Sequence, residues 1–308
     1  GWSEIRVRRR HLEALIERAI RELRGAGMPV RIVDVAAGHG RYVLEALSNH
    51  AADGDLALLR DFSELNVRSG EASIAEKGLG AARRYATIAP SAPHAQHMPS
   101  HIFTRRGYWE DSIRSNLASA AAADNDFDRF HAWDYLAYGY LQLGQDRAAR
   151  GVLDQILSVE KPNVANFATA FALAAIPSRY ALERGQWADA ASLSLRPGDF
   201  PWARFPQAEA ILVFGRGLAA ARSGNLAQAR DDQTRLAALR DGLLAAKVGY
   251  WADQVDIQRL LVAGWIARAE GRNDDALQLV RAAADREDAT DKHPVTPGEL
   301  LPARELLA

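Results

Sequence analysis

The sequence contains no cysteine, and this absence excludes disulfides, thiolate metal sites and a cysteine nucleophile. It also lacks a charge excess: 38 basic against 39 acidic residues leave a formal charge of −1. No whole-chain field therefore draws it to nucleic acid or to an anionic membrane. Long apolar runs are missing as well. No stretch approaches the roughly 18 uninterrupted apolar residues that a spanning helix needs. The first ten residues are basic, and the next segment is charged rather than an apolar signal core. The expectation is a soluble, cytoplasmic protein with no nucleic-acid or membrane partner. The residues present fit that class: hydrophobic residues make up 48% of the 308 positions and charged residues 25%, the balance of an ordinary globular protein.

Two unlike parts make up the chain, with a boundary near residue 70. In residues 1–70, Leu12, Leu15, Ile16, Ile20 and Leu23 recur at spacings of three and four and predict a helix. Gly25 and Gly27 stop it. The β-branched run from Val30 to Val35 predicts a buried strand, followed by the small-residue turn Ala36-Ala37-Gly38-His39-Gly40 and a helical pattern over residues 41–47. A second apolar run, residues 56–59, ends near a carboxylate, Asp61.

From residue 71 to 308 the strand signal disappears. Alanine-rich, helix-period sequence is punctuated by Gly107, Gly144, Gly185, Gly224 and Gly271, spaced 37, 41, 39 and 47 apart. Seven residues before each stands a small residue: Ser100, Ala137, Ser178, Gly217 and Gly264. Five after each stands another: Ser112, Ala149, Ala190, Ala229 and Ala276. Small residues on both sides of a glycine turn let two antiparallel helices approach closely, as a repeated helical hairpin requires. The predicted fold class is therefore mainly α, about five helical hairpins preceded by a small α/β fragment.

Two resemblances attach to these patterns. Gly107-Tyr-Trp109-Glu-Asp-Ser112, Gly185-Gln-Trp187-Ala-Asp-Ala190 and their counterparts at Gly224 and Gly271 resemble the turn and second helix of tetratricopeptide repeats. The stretch from Ala89 through His94, His97, Met98 and His101 to Phe103, with His131 to Tyr135, resembles a divergent, histidine-rich bacterial branch of that family. The resemblance implies a superhelix with a concave groove for a peptide or protein partner. It also places Leu300 to Ala308 inside a further repeat. The run Val33-Asp34-Val35-Ala36-Ala37-Gly38-His39-Gly40, with Leu59-Arg60-Asp61, resembles the Rossmann-like opening of a class I S-adenosylmethionine-dependent methyltransferase. That likeness implies cofactor binding through Asp34, Gly38, Gly40 and Asp61. Ala36 stands where that family carries its first glycine, and the strands that complete its sheet are missing after Asp61. A homo-oligomeric partner supplying strands would complete it.

Four of the eight histidines fall in the first two repeats. Counted back from the turn glycines, His94 and His131 stand at −13, His97 and Asp134 at −10, and His101 and Tyr138 at −6. Offsets of three and four put each set on one helical face. The resemblance turns both faces to the groove, so His94, His97, His101, His131 and Asp134 form a candidate site for zinc or another divalent metal, or for acid–base chemistry. The bland alternative is a tether between His97 and Asp134, with Pro99 kinking the helix between His97 and His101. The same offsets in later repeats give Ala172, Ala175 and Arg179, then Ile211, Phe214 and Leu218, then Gln258, Leu261 and Trp265. That face takes an apolar peptide or packs on its own chain. Three functions are compatible with these features: a groove-binding repeat scaffold, a methyltransferase, and a metal-dependent enzyme or metal-binding protein.

Overall fold

The computed structural model describes residues 17–28, 31–35, 56–60, 72–87, 89–290, 293 and 295–308, with the backbone alone for 31–35, 56–60 and 72–77. The chain divides into two compact units, residues 1–71 and 72–308.

In the first unit, helix α1 (residues 17–25) buries Ile20 and ends at Gly27, whose φ of 68° suits glycine. Strands β1 (Arg31–Val35) and β2 (Leu56–Arg60) pair in parallel, with Arg31 opposite Leu56 and Val35 opposite Arg60. Parallel neighbours require a crossover connection, and residues 36–55 supply its length. The expected glycine turn and the helix over 41–47 lie outside the described residues.

The second unit is helical throughout its regular elements. Helix α2 (Ala72–Tyr85) precedes a broken pair, α3 (Pro93–His97) and α4 (Pro99–Arg105), which leads into α5 (Trp109–Ala122). Next come α6 (Asp126–Gln142) with α7 (Asp146–Leu157), and α8 (Phe167–Glu183) with the short α9 (Trp187–Ala191). The last pairs are α10 (Pro206–Arg222) with α11 (Leu226–Ala245), and α12 (Gly249–Ala269) with α13 (Asn273–Asp288). A final turn, α14 (Ala303–Leu307), packs on α13. Each of the five glycines named from spacing joins two helices and has φ between 64° and 81°, a conformation that costs other residues Cβ contacts. The first helix of each pair also packs on the first helix of the next: α6 on α8, α8 on α10, and α10 on α12.

All ten small-residue slots are buried, and some admit nothing larger. A Cβ at Gly264 would lie 2.5 Å from Cγ2 of Val280 on α13, and one at Gly217 would lie 2.9 Å from Cβ of Asp232 on α11. Three helix starts carry a side-chain cap: Asn125 accepts from the Asp128 amide ahead of α6, Asn166 from the Thr169 amide ahead of α8, and Asn225 from the Gln228 amide ahead of α11.

The C-terminal segment begins without helix. Residues 295–301 precede α14, the helical turn within the stretch expected in a further repeat. They run without helix across the first helices, and Leu300 joins the main apolar core. Ile211, Phe214, Gln258 and Leu261, four of the face positions derived from glycine offsets, line a cavity of about 50 Å³ together with residues 298–301. The later part of the face thus packs on its own chain. Proline explains the lack of helix, because Pro297 and Pro302 offer no amide hydrogen for a helical ladder. No described helix is long and apolar enough to cross a membrane.

Candidate functional site

The histidine face lies where α3 and α4 meet α5 and α6. Pro99 ends one helical segment and starts the next, yet Met98 between them keeps helical angles (φ −52°, ψ −37°). His97 and His101 therefore remain on one side, with their Nε2 atoms 2.9 Å apart. The proline does not rotate them away from each other. His131 on α6 brings its ring centroid to 4.1 Å from that of His97. One ligating nitrogen from each of His97, His101 and His131 can be chosen so that all three lie within 4.8 Å of one another.

Two residues of the candidate set stand outside this triad. His94 stacks between His97 (6.0 Å) and Phe127 (6.5 Å) at the rim of the cluster. Asp134 is 2% exposed and forms no tether to His97, and its Oδ1 has no hydrogen-bond partner among the described residues. Burial pushes its carboxyl up to about 6, against the pull of the Arg179 guanidinium. Spacing assigns Asp134 to the same patch because it stands three residues after His131. Asp134 instead lies within electrostatic range of Arg179 in the neighbouring pair.

The partner of His97 is one that spacing does not reveal. Asn116 on α5 presents Oδ1 to His97 Nδ1 at 2.6 Å, while its Nδ2 donates to the Ser112 carbonyl at 2.8 Å. Asn116 and Ser112 are both fully buried. Burial pushes the His97 imidazole down to about 3 and His131 well below the usual histidine range, so both rings are neutral at physiological pH. On the far side, Tyr135 on α6 places its hydroxyl 2.9 Å from His101 Nδ1 and 3.1 Å from the Val295 carbonyl of the C-terminal segment.

Arg179 holds that same segment. It is fully buried, and it donates from Nη1 to the Glu299 carbonyl (2.7 Å) and from Nη2 to the Gly298 carbonyl (3.1 Å). Its guanidinium also sits 4.7 Å above the Tyr138 ring, a favourable cation–π distance. An arginine on an otherwise apolar face is the available signal in the sequence, since a buried guanidinium demands acceptors. Which acceptors it finds is not readable from spacing.

In the first unit, Asp34 lies in β1 opposite Leu59, and Gly38, Gly40 and Asp61 lie outside the described residues. Val35 and Arg60 are paired, so the chain leaves both strands at one edge of the sheet, and the candidate residues come directly after that edge in sequence.

The comparisons with known proteins bear on this part of the chain. The family described as "Putative methyltransferase" matches residues 1–90, which makes the N-terminal part methyltransferase-like. The match runs past the boundary at Glu71 and takes in α2. An uncharacterized protein of Escherichia coli (strain K12), YnbC, is 52% identical over 85 residues, which is 28% of this chain and 14% of that protein. The chain thus matches only about a seventh of that curated relative's length. No solved structure matches the chain.

Proposed function

We propose that the N-terminal unit is the cofactor-binding opening of an S-adenosylmethionine-dependent methyltransferase. The carrying observation is the family match over residues 1–90. The parallel pairing of β1 and β2 supports it, because both strands end level with each other. In this reading Gly38 and Gly40 let the backbone approach the cofactor, and the amides that open the next helix face its charged part. Asp34 steadies the end of β1, and Asp61 accepts from the ribose hydroxyls. The cofactor, when bound, supplies an activated methyl group. Calorimetric titration of the full chain with S-adenosylmethionine tests the reading. Asp61→Ala should weaken binding by about 1–3 kcal/mol, the worth of hydrogen bonds to a charged acceptor. No detectable binding to the wild-type chain at millimolar cofactor would refute it.

A second reading concerns the helical unit and is favoured by the convergence of three imidazoles. His97, His101 and His131 would hold a divalent transition ion such as zinc. Three histidines with a fourth position left to water form a known catalytic ligand set. Tetrahedral zinc with bonds of about 2.0–2.1 Å sets its nitrogens about 3.3 Å apart, between the 2.9 Å and 4.8 Å limits of this cluster. Neutral rings suit ligation, and Asn116 and Tyr135 supply the outer contacts that orient ligating histidines. A protein or peptide partner on the later part of the face would have to displace residues 298–301. Zinc titration of the chelator-stripped chain should give one site, lost in His131→Ala. Equal zinc binding by wild type and His131→Ala would sink the reading.

A further inference from the structure

Two arginines near the end of the array have no acceptor among the described residues. Arg222 closes α10 and Arg268 stands in the last turn of α12, and neither donates to a carboxylate or a carbonyl there. Other arginines of the same helices do: Arg216 on α10 takes Asp232, and Arg259 on α12 takes Asp256 at 2.8 Å. Glu270, two residues after Arg268, is already held by Arg230 and by Arg272, whose Nε lies at 3.0 Å.

Arg222 is held by aromatic rings instead. Its Cζ lies 4.1 Å from the ring centroid of Trp187 on α9 and 4.0 Å from that of Trp265 on α12. Both indoles pack on the main apolar core, which fixes the slot between them. A guanidinium is flat and carries its five N–H donors in its own plane. Indoles against its faces leave the edge for hydrogen bonds, and the side chain is exposed, so that edge meets solvent. Arg268 adds a second charge, with its Cζ 5.5 Å from the same Trp265 centroid. Burial between the rings, and then the repulsion of Arg268, lower the Arg222 guanidinium from its ordinary value. Trp265 contributes one more donor, an indole N–H that is buried and has no acceptor among the described residues.

Packing explains part of this cluster. A basic side chain in the last turn of a helix is favoured by the helix dipole, and the electron-rich ring faces attract a guanidinium. Neither effect accepts the in-plane N–H bonds, and neither supplies the negative charge that two arginines match. We propose that Trp187, Arg222, Trp265 and Arg268 form a binding site for a phosphate monoester group. Arg222, held flat by the indoles, presents its fork to two phosphate oxygens, and Arg268 supplies the second positive charge. A phosphate monoester carries about −1.5 to −2 charges near neutral pH, which two arginines balance, whereas a carboxylate balances one. The group is carried by a free small phosphate or by a phosphorylated side chain of a partner. The site is independent of the histidine triad and of the methyltransferase reading.

The test is calorimetric titration of the full, chelator-stripped chain at low salt and about pH 7.5, where the monoester is dianionic. The probes are inorganic phosphate and a short phosphoserine peptide beside its unphosphorylated form. The wild-type chain should bind phosphate at one saturable site that weakens as added sodium chloride screens it. Arg222→Lys keeps the charge and loses the flat fork, and it should bind about tenfold more weakly. Arg268→Gln should bind about twofold to fivefold more weakly, and it serves where Arg222→Lys does not fold. Tighter binding of the phosphopeptide than of inorganic phosphate supports the site with a protein partner as the source, and the reverse supports it with a small phosphate. No saturable binding of phosphate by the wild-type chain at millimolar concentration overturns the proposal. So does equal affinity in the wild type and both variants, or binding of the unphosphorylated peptide as tight as that of the phosphorylated one.

Discussion

Acid should weaken the helical unit through His97, and the size of the effect is set by its burial. His97 is 1% exposed and its imidazole is pushed down to about 3, whereas an unfolded histidine titrates near 6.5. Below pH 6.5 the unfolded chain binds a proton there that the folded chain does not. Stability therefore rises with pH across this window, and the contribution of the neutral ring is lost as pH falls from 6.5 towards 3. At pH 5 the loss is about 2 kcal/mol. His131, pushed down in the same way, acts in the same direction. Asp134 opposes them: its carboxyl is raised from 3.8 to about 6, so the cost of burying its charge is relieved as pH falls from 6 to 3.8. That relief returns about 1 kcal/mol at pH 5. The assay is urea unfolding of chelator-stripped protein, monitored by helical circular dichroism at pH 7.5, 6.5 and 5.0, for wild type and His97→Gln. Groups common to both proteins cancel in the difference. Relative to wild type, His97→Gln should gain about 2 kcal/mol between pH 7.5 and pH 5.0. A difference that does not move with pH would refute the placement of a neutral, buried His97.

Two further outcomes come from packing. Gly151, exposed on α7 with open space around it, should tolerate Gly151→Ala with a gain of up to about 1 kcal/mol from helix propensity. Gly264→Ala should instead cost about 1–2 kcal/mol, because its Cβ meets Val280 at 2.5 Å and overpacking exceeds the propensity gain. Paired thermal melts read the opposite signs. Arg179→Met should release the carbonyls of Gly298 and Glu299 and cost at least about 2 kcal/mol. Limited proteolysis should then cut within residues 295–301 before any hairpin is lost.

Much of the helical unit is legible in the sequence because steric rules leave local marks. A left-handed turn between helices selects glycine, and close helix contact selects small side chains, so Gly107 through Gly271 and their flanking slots announce the hairpins. The triad is legible for a related reason. His97 and His101 stand four apart, and His131 stands at the same glycine offset as His94 in the next pair. Asn116 is not, since it comes from the second helix of its hairpin and carries no periodic signature. The path of residues 295–301 is not legible either, since their contacts with Tyr135 and Arg179 are 160 and about 120 residues distant. No window of local sequence contains such a pairing. In the N-terminal unit, the β-branched run at Ile32 to Val35 and the apolar run at Leu56 to Leu59 mark the two strands correctly.

The segment that crosses the first helices also changes how the hairpin array comes apart. Stacked hairpins that touch only their neighbours behave as a one-dimensional chain, in which the terminal unit frays first and opening spreads inward step by step. Here residues 295–301 bond to α6 and α8, three and two hairpins away from α13. The last hairpin cannot leave without breaking contacts in the second and third. End fraying becomes an event shared across the array, and unfolding gains cooperativity that no nearest-neighbour contact supplies. The cost appears in the opposite direction: closing a chain loop of well over 100 residues is entropically expensive, so this tie forms after the hairpins it joins.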